Sequence, residues 1–460
     1  MTRKSSAPAR PSAARAEGAE LRPEKPAHGG TVIARDDGRV VFVHYALPGE
    51  TVRAEPAGRR GGAAFARAVE VVEASPDRVR PRCPHFGVCG GCQWQHAAYE
   101  RQLALKHQVV EELWERAGLR LPPDTPIHGM DEPWRYRVRG EFEATYREGR
   151  LELGFHRMRS HAVLPIETCP IHDERIERAA LAFGKAGREI GLVGLVNLHL
   201  TVEPRGSGLL WRTRYQRRSQ QAQDAALAAR AAELLPDLAL LDDSMSFDFW
   251  SLRFRVRSET FIQTNYRQML ALYGVTLDFL HARPGEAVLD LYAGIGTISL
   301  AVARQAVAVT AIEENQAAVR LGQLAVRINC TPSRPAGEAV NPPGPGAPAG
   351  RPGRAHHEGG GHVQFLCGRV EDVLRGIRLG QHDAAVLDPP RAGCEPAAIA
   401  ELLRLGPARI VYVSCEPSTH VRDILLLVQG GYRLRRAALV DMFPQTAHIE
   451  SIALLERSGA

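Results

Sequence analysis

No apolar run in the 460-residue chain approaches the roughly 20 residues that a membrane span needs, so no transmembrane segment is expected. The first residues, Met1 to Arg22, also lack an apolar stretch. Rich in Arg, Ala, Ser and Pro, they exclude a secretory signal and read as a disordered basic arm over residues 1–24 on a cytoplasmic protein. Lysine is nearly missing, since the 58 basic residues are almost all Arg and leave a net charge of +6. The planar guanidinium fork suits phosphates and base edges, which favours a nucleic-acid partner. GC-rich coding would produce the same bias, so charge alone does not decide the function. Cysteine is sparse too, at eight residues. Without an export signal these thiols are expected in a reducing compartment, where clustered cysteines bind metal or do chemistry.

With 44% hydrophobic and 24% charged residues the composition is that of a globular protein, and the length predicts two to four domains. Short alternating runs broken by Gly and Pro (Thr31-Val-Ile33, Arg39 to Val43, Thr51 to Ala54) predict a small β-barrel over 25–76. A helix is expected from about Ala97 to Ala117, and a central α+β domain over 77–255. From about Arg283, within a domain placed at 256–460, apolar strands alternate with helical patterns (Ala287 to Leu291, Ala306 to Ile312, Ala384 to Leu387, Ile410 to Val413). That alternation predicts an α/β Rossmann-like domain, with a parallel sheet covered on both faces. The Pro- and Gly-crowded stretch 331–362 reads as a disordered surface insertion.

Four constellations carry chemistry. The first is Cys83-Pro-His-Phe-Gly-Val-Cys89-Gly-Gly-Cys92, with an isolated Cys169. Three thiolates within ten residues plus a fourth suit zinc or an iron–sulfur cluster. The spacing lacks the paired short intervals of most zinc ribbons, which tilts the choice to a cluster. It also lacks the three-then-two spacing of radical enzymes that cleave S-adenosylmethionine. The second is Asp290-Leu-Tyr292-Ala-Gly294-Ile-Gly296-Thr297, where a strand runs into a Gly-x-Gly turn. Glu313, at the end of the next strand, is placed to bridge two ribose hydroxyls. The third glycine of the dinucleotide fingerprint is missing, so S-adenosylmethionine outranks NAD.

The third constellation, Asp388-Pro-Pro-Arg391, has Asp and Arg where many amino-group methyltransferases have Asn and an aromatic residue. That argues against methylation of a base nitrogen. The fourth, Ser414-Cys415-Glu416-Pro417, puts a cysteine just past an apolar strand, in polar surroundings, with an acid available at Glu450. Such a thiol can add to carbon 6 of a pyrimidine. Cys330, Cys367 and Cys394 have no comparable setting and read as structural. The stretches Trp134-Arg-Tyr136-Arg-Val-Arg139 and Gly154-Phe-His-Arg157 read equally as an RNA-stacking surface or as an ordinary strand pair.

On these motifs the chain resembles the RNA 5-methyluridine methyltransferase family over nearly its whole length, specifically the members that carry an iron–sulfur cluster. The resemblance implies an N-terminal TRAM barrel that binds RNA, a central domain holding a 4Fe-4S cluster, and a Rossmann-like catalytic domain over 256–460. It implies Cys83, Cys89, Cys92 and Cys169 as cluster ligands. Gln263, Tyr292, Thr297, Glu313 and Asp388 would contact S-adenosylmethionine, with Cys415 as nucleophile and Glu450 as base. An Arg at position 369 replaces the usual Asn or Asp at another cofactor contact. The expected substrate is ribosomal RNA of the large subunit, with transfer RNA as the alternative, and the expected state is a monomer without a membrane partner. A radical methylthiolating enzyme and a non-enzymatic iron–sulfur RNA-binding protein are the competing classes. Cysteine spacing opposes the first, and the presence of both Cys415 and Glu450 opposes the second.

Overall fold

Alternating burial organises the N-terminal part of the protein, whose computed structural model describes residues 18–305, 307–330 and 362–459. The expected arm over 1–17, the insertion over 331–361 and the Cys330 side chain lie outside the described residues. Six strands form the first sheet, in the order Ala19–Leu21, Thr51–Arg60, Ala63–Glu73, Arg39–His44, Thr31–Asp36, Lys25–Ala27. Every pair is antiparallel except Arg39–His44 with Ala63–Glu73. Inward side chains such as Leu21, Val32, Val43 and Val52 form its core. Within residues 18–24, expected to belong to the arm, Ala19–Leu21 therefore form a strand of the sheet. Leu21 is one of its core side chains, and Ala19–Leu21 continues the ladder on Thr51–Arg60.

A second six-stranded sheet runs Val163–Pro165, Arg150–His156, Arg139–Arg147, Leu195–Val202, Gly208–Tyr215, Ala239–Leu241. The helix Glu174–Glu189 packs on it through Ile176, Ala179, Phe183 and Ala186, spaced three to four residues apart as one helical face requires. The hairpin Ser244–Phe249/Leu252–Arg257 alternates strictly, burying Met245, Phe247, Phe249, Leu252, Phe254 and Val256.

The third sheet has eight strands, in the order His362–Cys367, Ala308–Glu313, Ala287–Leu291, Ala384–Leu387, Arg409–Ser414, Glu450–Arg457, Tyr432–Val440, Ile127–His128. The first five are parallel. The central ones, such as Ala384–Leu387, are buried along their whole length, as strands covered on both faces must be. The strand Glu450–Arg457 then runs antiparallel to Arg409–Ser414.

Two expectations need correction. The helix Tyr99–Arg116 and the strand Ile127–His128 were placed in the central domain, yet both join the third sheet's layer. Val110 and Trp114 of the helix pack with Ile424 and Leu427, and Ile127 pairs with Leu439 at the sheet edge. The insertion was carried through residue 362, but His362 pairs with Ala308 and begins a strand. No helix among the described residues is long and apolar enough to cross a membrane.

Candidate active site

Parallel strands send their C-terminal ends to one edge of the third sheet, and the ligand-facing loops gather there. After Ala287–Leu291 the chain turns sharply, with Tyr292, Gly294 and Gly296 all at positive φ. Gly296 has no substitute in this packing, because a Cβ there would lie 2.5 Å from the Phe365 ring. At the end of the neighbouring strand both Glu313 oxygens accept backbone N–H groups, from Gly294 at 2.9 Å and Asn315 at 2.7 Å. The Glu313 carboxylate thus fastens the glycine turn while each oxygen keeps a second lone pair.

Inside that turn Asp290 is buried and accepts a short hydrogen bond from Ser299, leaving its Oδ1 without a partner. Burial pushes its carboxyl up to about 7, a shift that the Ser299 bonds oppose and Glu313 reinforces. Thr297 donates to Tyr273 Oη at 3.2 Å, from the start of the helix Thr297–Ala303 to the helix Tyr266–Leu280. Gln263 is buried just ahead of that second helix, without a hydrogen bond to these groups among the described residues.

The strand register brings the fourth constellation together with the acid. Glu450–Arg457 pairs antiparallel with Arg409–Ser414, and Ser414 stands opposite Ser451. Cys415 and Glu450 are the adjacent residues at that end of the ladder, so both emerge at the ligand edge. Burial pushes Glu450 up to about 8, with Asp388 adding to the shift and Arg391 opposing it. Burial also pushes Asp388 up to about 7, with Asp290 reinforcing. Cys415 is pushed up to about 12 by burial, then by Glu450 and Asp388, against the pull of Arg391. Three buried carboxyls and a thiol are thus coupled along this edge, Asp290 to Asp388, Asp388 to Glu450 and both Asp388 and Glu450 to Cys415, while the Arg391 guanidinium opposes the shifts of Glu450 and Cys415.

Neighbouring side chains hold this edge. Ser451 Oγ lies 2.6 Å from Nδ1 of His420, a buried imidazole whose pKa burial lowers to about 3 and which is therefore neutral. Asp423 accepts from Tyr412 Oη at 2.5 Å and from the Cys394 backbone at 2.8 Å, anchoring the loop that follows Asp388. The loop ahead of Glu450 is clamped from outside its own sheet. The backbone N–H groups of Gln93 and Trp94 donate to Gln445 O at 3.1 and 3.0 Å, Gln102 pairs with Gln445, and Tyr136 Oη donates to Pro444 O at 2.9 Å.

Those two N–H donors follow Cys92 directly, so the cysteine loop braces the Glu450 loop. Cys83, Cys89, Cys92 and Cys169 line one open cavity of about 970 Å³, together with Arg60, Arg137 and Arg157. Burial raises the pKa of all four thiols, bringing Cys92 and Cys169 up to about 12. Among the described residues no group of three or more His, Cys, Asp or Glu side chains forms a site for a single metal ion.

Of the two readings of the Trp134 to Arg139 stretch, base stacking does not fit its aromatics, because Trp134 and Tyr136 are buried with Ile171 in a small core beside Cys92 and Cys169, and Arg82 lies over the Trp134 ring. Arg369 forms an ion pair with Glu371 at the start of the helix Val370–Arg375. Sequence reasoning missed Tyr273, which carries no motif. It also gave no role to Arg391, whose place in the Asp-Pro-Pro-Arg run was a usable signal.

A largely parallel sheet with a glycine turn and acids at its C-terminal edge defines a Rossmann-like α/β domain of the kind that binds nucleotide-like cofactors. The family profile described as tRNA (Uracil-5-)-methyltransferase matches residues 368–458. An uncharacterized RNA methyltransferase of Halalkalibacterium halodurans is 32% identical, covering 93% of this chain and 94% of that protein. The 23S rRNA (uracil(1939)-C(5))-methyltransferase RlmD of Alkalilimnicola ehrlichii is 33% identical, covering 94% and 95%. Among solved structures, the tRNA (uracil-54, C5)-methyltransferase of Pyrococcus abyssi in complex with S-adenosyl-L-homocysteine shares the fold, with a TM-score of 0.69 at 19% identity. That match covers 95% of this chain and 99% of the archaeal one. The chain belongs to the S-adenosylmethionine-dependent RNA uracil-5-methyltransferase family.

Proposed function

We propose that the protein methylates carbon 5 of a uridine in 23S ribosomal RNA, with Cys415 as nucleophile and Glu450 as base. The observation that carries this reading is the pairing of Ser414 with Ser451, which brings thiol and carboxyl to one sheet end, both coupled to the Asp388 carboxyl. Carbon 5 of uracil is a weak nucleophile. Once its proton has passed to solvent, Cys415 adds as the thiolate to carbon 6, which breaks the 5,6 double bond and delivers its electrons through an enolate to carbon 5. S-adenosylmethionine supplies the electrophilic methyl group, which bonds to carbon 5 as its bond to sulfur breaks and S-adenosylhomocysteine leaves. Glu450 then takes the proton left on carbon 5, the double bond re-forms, and the carbon–sulfur bond breaks to release Cys415.

This sheet edge suits a cationic donor, because Asp290, Asp388 and Glu450 all shift toward ionisation when a positive charge arrives, and Asp290 Oδ1 awaits a partner. Glu313 suits the ribose hydroxyls, and Gln263, Tyr292, Thr297 and Asp388 are proposed as the remaining contacts. Kinship with RlmD at 33% identity supports 23S rRNA over transfer RNA.

Cys83, Cys89, Cys92 and Cys169 are proposed to hold a 4Fe-4S cluster. What supports this is that the four thiols line one cavity, and four cysteine thiolates are the usual ligand set of such a cluster. The first sheet is proposed as a TRAM-like RNA-binding module, and extrusion of the target base would bring the uridine to Cys415. Incubation with RNA carrying 5-fluorouridine tests the chemistry, since fluorine on carbon 5 cannot leave as a proton. A covalent protein–RNA adduct is expected for the wild type and none for Cys415→Ala; an adduct that persists in Cys415→Ala contradicts the assignment.

A further inference from the structure

The first sheet touches the nucleophile's loop through the turn His28 to Gly30, between the strands Lys25–Ala27 and Thr31–Asp36. Gly29 and Gly30 have φ of +86° and +87°. A Cβ on Gly30 would lie 2.7 Å from Gln93 Cβ and 3.0 Å from Ala447 Cβ, so the turn is wedged between the cysteine loop and the Glu450 loop. Trp94 Nε1 donates to Gly30 O at 3.1 Å and locks it there. From this wedge the His28 imidazole reaches Glu416, with Nε2 3.0 Å from Oε1.

Glu416 is the residue after Cys415 and is itself built into the loop. Its carboxylate accepts from Ser418 Oγ at 2.7 Å at the start of the helix Pro417–Gln429, and its backbone N–H donates to Ser414 Oγ at 3.2 Å. The charged and titratable groups around His28 are Glu416, Arg391 on the loop after Asp388, and His448 on the Glu450 loop. Burial and Arg391 keep His448 neutral, with its pKa lowered to about 4, and Arg391 Nη2 lies 3.4 Å from His448 Nδ1.

Building on the assignment of Cys415 as nucleophile, we propose that His28 is a positioning residue. Its ion pair with Glu416 docks the N-terminal module onto the nucleophile's loop, which fixes Cys415 in position and keeps the loop from opening to bulk reagents. The hydrogen bond to Glu416 raises the His28 pKa, against burial and Arg391. The pair is therefore complete below the ordinary imidazole range and is lost as pH rises through the raised value.

The test follows Cys415 alkylation by iodoacetamide in the full-length protein, by peptide mass spectrometry from pH 6 to 9, with methyl transfer measured in parallel. At pH 6, His28→Gln and Glu416→Gln should alkylate Cys415 about two- to fivefold faster than wild type, the modest effect expected of a half-exposed pair. The ratio should approach one by pH 9, and the double variant should be no faster than either single. In methyl transfer, kcat should fall at pH 6 while KM for S-adenosylmethionine holds. His28→Lys, charged throughout, should retain protection at pH 9. Equal rates at pH 6, or a ratio independent of pH, would overturn the proposal. If pH-dependent protection appears but no 5-methyluridine forms on any RNA, the reaction assignment fails while the His28 contact stands.

Discussion

Asp290, Asp388 and Glu450 are acids held back from ionisation by burial, with carboxyls at about 7, 7 and 8. In the free protein each gains its charge as pH rises through that range, and each charge attracts a sulfonium. Affinity for S-adenosylmethionine should therefore rise between pH 6 and pH 8.5 in calorimetric titrations. S-adenosylhomocysteine, which lacks the sulfonium charge, should show a much flatter profile; parallel profiles would mean that these carboxyls do not face the donor. Glu450→Gln, unable to take the proton from carbon 5, should accumulate a covalent methylated adduct with natural RNA and slow release by at least about 100-fold. At this scale the sequence foretold position, not role, best where a motif and a strand end coincide, as Gly294, Glu313, Asp388 and Cys415 all fall at or just past strand ends of the third sheet. It was mute on Tyr273 and His28, because nothing local marks a side chain whose partner lies far along the chain.

Among the elements, the loop from Asp441 to Ile449 matters most, because it delivers Glu450 and is held by residues more than 300 positions earlier. Lys106 Nζ lies 2.5 Å from Asp441 Oδ1, and both side chains are fully buried. Tyr99 Oη donates to the other Asp441 oxygen at 2.8 Å. Burial alone would drive the Lys106 ammonium toward its neutral form, and Asp441 opposes that. Removing one partner leaves a buried charge uncompensated, so Lys106→Met should lower stability by about 3–5 kcal/mol in denaturant titrations. Adding Asp441→Asn should recover much of the loss; no recovery would mean that packing, not charge, sets the cost. This clamp also explains why the helix Tyr99–Arg116 was legible as a helix but misassigned between layers. Its apolar stripe gives the period, whereas the identity of its partner is settled by a buried Lys–Asp pair that periodicity does not encode. The central parallel strands, by contrast, were readable nearly to the residue, because strands covered on both faces need unbroken apolar runs.

Across the whole molecule, the cysteine loop, the first sheet and the catalytic sheet meet around the Glu450 loop. If the four thiols hold a cluster, anaerobically purified protein should show visible thiolate-to-iron absorption that Cys92→Ser abolishes. Because Gln93 and Trp94 donate to Gln445 O, the same substitution should also reduce methyl transfer. A colourless protein containing zinc would sink the cluster assignment and leave the clamp intact. The most direct measurement of the central claim is nucleoside mass spectrometry after incubating the protein and S-adenosylmethionine with unmodified 23S rRNA and, separately, unmodified transfer RNA. The account predicts 5-methyluridine in the ribosomal RNA alone, abolished by Cys415→Ala; a different methylated nucleoside, or 5-methyluridine formed without Cys415, would contradict it.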